Sequence, residues 1–159
     1  MLSAELQSAL SLLDPVDLAV ADVPRPHFLR KAALFDSGRS LVGELVISSA
    51  YTAVADRHGR VNAAEGLHAV WNAAHLISQA IGGKQLRATR ITITPGRRPL
   101  PSDKPLLIRA HLPELVFEGR DARGNLTAEI LDKTGRSLLQ VEAEFWARRD
   151  IPRNASTGA

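Results

Sequence analysis

Apolar and polar positions along this chain change period in its middle. From residue 62 to residue 81, Leu67, Val70, Trp71, Ala74, Ile77, Ile81 and the alanines between them follow a helical repeat that covers nearly the whole circumference. This predicts one helix of about five turns at about 3.6 residues per turn. Asn62 is placed to cap it, Glu65 stands three positions on where a capping box needs it, and Gly82-Gly83 supply the stop. A helix apolar on nearly every side is buried rather than laid on a surface. One stripe interrupts it. Glu65, His68, Asn72, His75 and Gln79 follow at steps of three or four and share a face about 80° wide. Two readings stay open: a solvated edge, or the lining of an active site or subunit seam. Two histidines, a carboxylate and an amide on a largely buried helix are costly without partners.

On either side of this helix the pattern shortens. Residues 3–13 read as a short amphipathic helix capped by Ser3 and ended by Pro15, and Asp22-Val-Pro-Arg-Pro26 as a stiff turn. Residues 27–35 and 40–48 are apolar-rich runs joined by Asp36-Ser-Gly-Arg39, a hairpin. Residues 49–60 read as a polar loop leading into the long helix. Residues 85–94 alternate and are β-branched, hence a strand. Residues 95–105 read as a proline-rich mobile loop, and 106–118 as a strand bent, bulged or at an edge at Pro113. A turn at 121–124 leads to a strand at 125–131, and a turn at 132–136 to a strand at 137–147. In the last strand Leu139, Val141, Ala143 and Phe145 alternate with Gln140, Glu142, Glu144 and Trp146. Three or four antiparallel strands after one long apolar helix predict an α+β domain with the sheet curled over the helix, the hot-dog fold in outline. The expected division is an N-terminal helix and linker at 1–26, a hot-dog domain at 27–149 and a disordered tail at 150–159.

Composition narrows the partners. At 159 residues the chain is large enough for a core without staples. It has no cysteine, so thiolate chemistry is excluded. No basic region precedes the first apolar residues and no apolar run approaches ~18 residues, so a cytoplasmic protein with no membrane partner is expected. The net charge is only +3, but Arg87, Arg90, Arg97 and Arg98 lie close in sequence. Aromatic residues are scarce and do not interleave with them, which argues against nucleic acid. Phosphates of a cofactor-like carrier, or an acidic carrier protein, suit arginine better.

Ser49-Ala50-Tyr51, Asn62-Ala-Ala-Glu65 and Trp71-Asn72 resemble the pattern of FcoT-like acyl thioesterases, a hot-dog family acting on fatty acyl thioesters. The layout extends over residues 27–148, the specific match over 49–72. In that family a tyrosine before the helix and two asparagines on it shape the reacting centre. The resemblance therefore implies roles for Tyr51, Asn62 and Asn72. It further implies an acyl-CoA or acyl carrier protein thioester as substrate. Some relatives also add glycine to the β-carbon of an enoyl thioester before hydrolysis, giving a β-amino acid. A looser likeness is to hot-dog dehydratases, which carry a histidine before the helix, as His58-Gly59 does here. At the distance where they have an acid this chain has Asn72.

The residues themselves suit such chemistry. First-turn N–H groups of a buried helix can stabilise a carbonyl oxygen that gains charge. His58 can move protons near neutral pH, and Glu65 can act as a base for water or merely close the capping box. Tyr51 can orient a carbonyl or pack in the core. His68 and His75 stand seven residues apart with no accompanying ligand set, so no metal and no cofactor is expected. No GxSxG elbow, P-loop or dinucleotide fingerprint is present. Three classes follow: an acyl-thioester hydrolase, with or without amine addition; a hydratase or dehydratase of the same fold; and a non-catalytic acyl-carrier-binding module. Free strand edges in such a sheet predict a homo-oligomer.

Overall fold

The computed structural model describes residues 2–50, 59–113 and 115–149, with the backbone alone for Lys84, Gln85, Leu115 and Arg149. Helix α1 spans Ala4–Leu10, and the Ser3 hydroxyl accepts from the Leu6 N–H as its cap. Strand β1 (Asp14–Pro15) lies on the edge of β2 (Leu29–Phe35), which forms a hairpin with β3 (Ser40–Val46). Ser40 Oγ donates to Asp36 Oδ2 at 2.6 Å across that hairpin turn. A short strand β4 (Arg60–Val61) precedes helix α2 (Ala63–Ala80). Then come β5 (Gly83–Pro95), β6 (Leu100–Pro101), β7 (Pro105–His111), β8 (Leu115–Glu118), β9 (Asp121–Leu131) and β10 (Ser137–Arg149).

Eight strands form one antiparallel sheet in the order β1-β2-β3-β7-β9-β10-β5, with β8 beside β9. Its inner face packs on α2 through Leu41, Leu45, Ile108, Ile130, Leu139 and Phe145, each 1 % exposed or less. The outer face carries α1, whose Leu6 packs on Leu107 and Leu131. The expected sheet curled over one helix is therefore the architecture. The alternation in β10 holds too: Leu139, Val141, Ala143 and Phe145 are all buried, and the residues between them are not.

Three expectations need correction. Residues 95–105 are not a free loop: β6 pairs with β4, Arg60 opposite Pro101 and Val61 opposite Leu100. Leu100, the one apolar residue between prolines, supplies the burial that fixes this segment. The expected turn at 121–124 is the first part of β9, paired on both sides, and the chain reverses at Gly119, whose positive φ of 61° suits glycine. Residues 14–26 are no mere linker, because Leu18 and Val23 are buried in the main core. Pro113 behaves as its missing N–H requires: β7 pairs with residues 127–131 of β9, β8 with 121–124, and the ladder breaks between them. The expected tail at 150–159 lies outside the described residues.

Candidate active site

The N-terminal end of α2 is wedged between two other pieces of chain. Gly66 makes this possible. A Cβ there would stand 2.5 Å from Leu139 Cδ2 and 2.8 Å from Leu100 Cδ1, so the first turn lies directly against these two side chains, which would have to shift for any larger residue. Ahead of the helix, Gly59 O accepts from Ser102 N at 2.8 Å and from Ser102 Oγ at 3.1 Å. Asp103 N donates to Ile47 O at 2.8 Å, and Ser49 N donates to Asp103 Oδ1 at 3.0 Å. Hydrogen bonds from Ser49 hold the Asp103 carboxyl below the usual carboxylate range. Three segments distant in sequence (47–49, 59–62 and 100–103) are thus stitched together around the start of one helix. Ser102 and Asp103 were not singled out by the sequence, because a proline-rich stretch reads as punctuation; Leu100 was the available signal.

Asn62 caps α2 with its side chain, Oδ1 accepting from Ala64 N at 3.0 Å, while its backbone carbonyl accepts from Glu65 N at 2.9 Å. Among the described residues the Ala63 N–H has no acceptor, the orphan donor that a helix start leaves. Glu65 lies in the same turn, its side chain only 20 % exposed and 3.8 Å from His68 Nε2. An exposed asparagine amide, a free N–H and a half-buried carboxylate therefore share one helix end. Tyr51 and His58 lie outside the described residues; His58 directly precedes Gly59 in the chain.

Asn72 is elsewhere. It lies ten residues beyond Asn62, about 15 Å along the helix axis, and is 1 % exposed. Its Oδ1 accepts from Phe28 N at 2.9 Å and Leu29 N at 3.5 Å, and its Nδ2 donates to Pro26 O at 3.1 Å. Gln79 Nε2 donates to Ala21 O at 2.6 Å. The His68 ring meets Phe28 edge-on at 6.2 Å, and His75 meets Trp71 at 5.4 Å. At Asn72 the polar stripe is thus covered by the chain's own residues 26–29, whose buried backbone the amide pairs, whereas Gln79 stays exposed while it bonds Ala21 O. Burial lowers the His75 pKa, against the attraction of Asp22.

The four arginines close in sequence do not converge. Arg87 and Arg90 stand on β5, opposite Trp146 and Glu144 of β10. Arg97 and Arg98 are exposed in the turn between β5 and β6, next to the segment that pairs ahead of α2. About 27 Å of strand separates Arg87 from Pro95, at about 3.4 Å per residue.

No family model and no curated protein matches the sequence, whereas solved structures match its shape. A hypothetical thioesterase protein from Streptococcus pneumoniae TIGR4, solved with coenzyme A, superposes with a TM-score of 0.60 at 12% identity, over 84% of this chain and 98% of that one. The chain has the hot-dog fold. Two further hot-dog neighbours agree. Streptococcus mutans UA159 smu.793, bound to acetyl CoA, gives 0.61 at 9% identity over 81% and 97%. The E. coli PaaI protein of the phenylacetic acid degradation operon gives 0.56 at 14% over 74% and 81%. Among the described residues no helix of this hot-dog chain is long and apolar enough to cross a membrane.

Proposed function

We propose that this chain hydrolyses acyl thioesters of CoA or an acyl carrier protein at the N-terminal end of α2. The observation that carries the proposal is the pairing, in one helix turn, of a free Ala63 N–H and the Asn62 amide with the Glu65 carboxylate. That CoA and acetyl CoA are bound by similar folds supports the carrier. The thioester carbonyl oxygen would sit at Ala63 N–H and Asn62 Nδ2, donors fixed before reaction begins. Water attacks the carbonyl carbon as Glu65 or His58 takes its proton, and the carbon–sulfur bond then breaks to release a protonated thiol and a carboxylate. Tyr51 would orient the acyl group. Asn72 would serve this site at a distance, by fixing the helix against residues 26–29. Arg97 and Arg98, beside the same helix end, would hold carrier phosphates or an acidic carrier face; Arg87 and Arg90 stand farther along β5, outside that contact.

The finer form of the proposal adds glycine. With an α,β-unsaturated acyl thioester, the glycine nitrogen attacks the β-carbon, its proton passes through His58 to the α-carbon, and hydrolysis follows. The support is the histidine beside the helix start and the resemblance in residues 49–72.

Mass spectrometry of products from saturated and enoyl thioesters, with and without glycine, tests both. Free acid and thiol from a saturated substrate establish hydrolysis, and an N-carboxymethyl β-amino acid formed only with glycine establishes addition. Water added across the double bond without hydrolysis makes the chain a hydratase, and no turnover of any thioester makes it a binding module. His58→Ala should lower turnover by about 10²–10⁴-fold, with His68→Ala far less damaging.

A further inference from the structure

The outer face of the sheet carries a second constellation, at the far end of β5 from the helix start. Phe145 and Ala147 point into the core, each 1 % exposed, so Trp146 and Arg148 between and beside them face outward. Across the ladder Trp146 stands between Arg123 of β9 and Arg87 of β5, and Arg148 stands opposite Asp121. Arg87, Trp146, Arg148 and Asp121 line a cavity of about 270 Å³. That is slightly below the usual lower bound of about 300 Å³ for a small-molecule site, so it holds part of a ligand and leaves the rest on its rim.

The indole is fixed in advance. The Arg123 guanidinium lies 3.6 Å from the centre of its ring, and Arg123 Nη2 is 3.3 Å from Glu118 Oε2. Among the described residues Arg123 Nε is buried with no hydrogen-bond partner, sealed in this stack. Glu118 balances Arg123. Arg87 and Arg148 have no ion pair among the described residues, and Asp121 offsets one of the two. What remains is a pre-positioned aromatic ring beside a positive charge spread over two planar guanidiniums. A phosphate matches the guanidiniums and a flat ring matches the indole.

We propose that this pocket binds a nucleoside monophosphate, its phosphate between Arg87 and Arg148 and its base against Trp146. The site is separate from the start of α2 and does not depend on thioester chemistry there. The nucleotide has two sources, a free one or the nucleotide end of a CoA molecule, and both present the same chemistry.

Trp146 reports its own occupancy. Intrinsic fluorescence and calorimetry at low salt, with AMP, adenosine, inorganic phosphate and CoA as ligands, test the site. AMP is expected to bind at least tenfold more tightly than adenosine or phosphate, and more weakly as salt rises. Arg87→Ala/Arg148→Ala should weaken AMP at least tenfold with an unchanged circular dichroism spectrum. Trp146→Phe should abolish the fluorescence change while calorimetry still finds weakened binding. CoA tighter than AMP identifies the carrier as the source, and CoA equal or weaker identifies a free nucleotide. AMP no better than adenosine and phosphate, or undiminished AMP binding by the double arginine variant, overturns the assignment. Hydrolysis of a thioester lacking the nucleotide, such as an acyl-N-acetylcysteamine, should be unaffected by the double variant, which keeps failure of this site distinct from failure of the catalytic proposal.

Discussion

Replacing Asn72 tests whether the buried amide acts as a clasp or on a substrate. Asn72→Ala removes the acceptor for the buried Phe28 N and the donor for the part-buried Pro26 O. A buried backbone group left unpaired costs about 1–3 kcal/mol, so a loss of about 1–4 kcal/mol is expected, most of it from Phe28 N. Against a total of about 5–15 kcal/mol for such a domain, that is a large fraction. A water entering the vacated space would bring the value to the lower end. Asn72→Asp separates the two halves of the clasp. An aspartate keeps the acceptor for Phe28 N but sets a carboxylate oxygen against Pro26 O, where only a protonated acid can donate. Its folded pKa should therefore rise above the unfolded one. A group with a raised folded pKa contributes stability below the unfolded value and loses it as pH rises through the folded value. Asn72→Asp should accordingly be more stable at pH 4–5, relative to the parent, than at pH 7. Urea unfolding followed by circular dichroism at both pH values measures this. An Asn72→Ala protein within about 1 kcal/mol of the parent, yet crippled in thioester turnover, would refute the clasp and move Asn72 to the substrate.

Three other outcomes follow from the same geometry. Gly66→Ala forces a methyl group against Leu139 and Leu100, and should cost about 1–3 kcal/mol in urea unfolding, with turnover falling as the helix start shifts. Burial lowers the His75 pKa, so its contribution is present above the unfolded value near 6.5 and is lost as pH falls through the folded value; melting temperature should drop on acidification, and less so in His75→Gln. Strand β5 pairs with β10 on one side, and its other edge has no strand on it among the described residues, so a second copy pairing there should give a dimer by light scattering. A charged residue at Ile91, 41 % exposed on that strand, should weaken it, and a parent protein monomeric at micromolar concentration would exclude the pairing.

Local signals determined most of the elements. Cap, repeat and glycine stop define α2 within its own twenty residues, and its ends fall at Ala63 and Ala80 as those signals require. The alternation of β10, the 36–39 hairpin turn and the break at Pro113 are equally local, because each depends on the backbone period or on a missing N–H. The tertiary structure decided what cannot be local. Asn72 meets backbone groups 44 and 46 residues away, so its place in the stripe looked the same in sequence whether water, a substrate or residues 26–29 covered it. Leu100 turned a proline-rich stretch into β6 only because the strand ahead of α2 offers it a partner. Four arginines near in sequence were parted by an extended strand, which carries neighbours away at about 3.4 Å per residue, while Arg87 gained Trp146, 59 positions on, through the ladder. Periodicity records which face of an element is buried; what covers that face depends on chain that arrives from elsewhere.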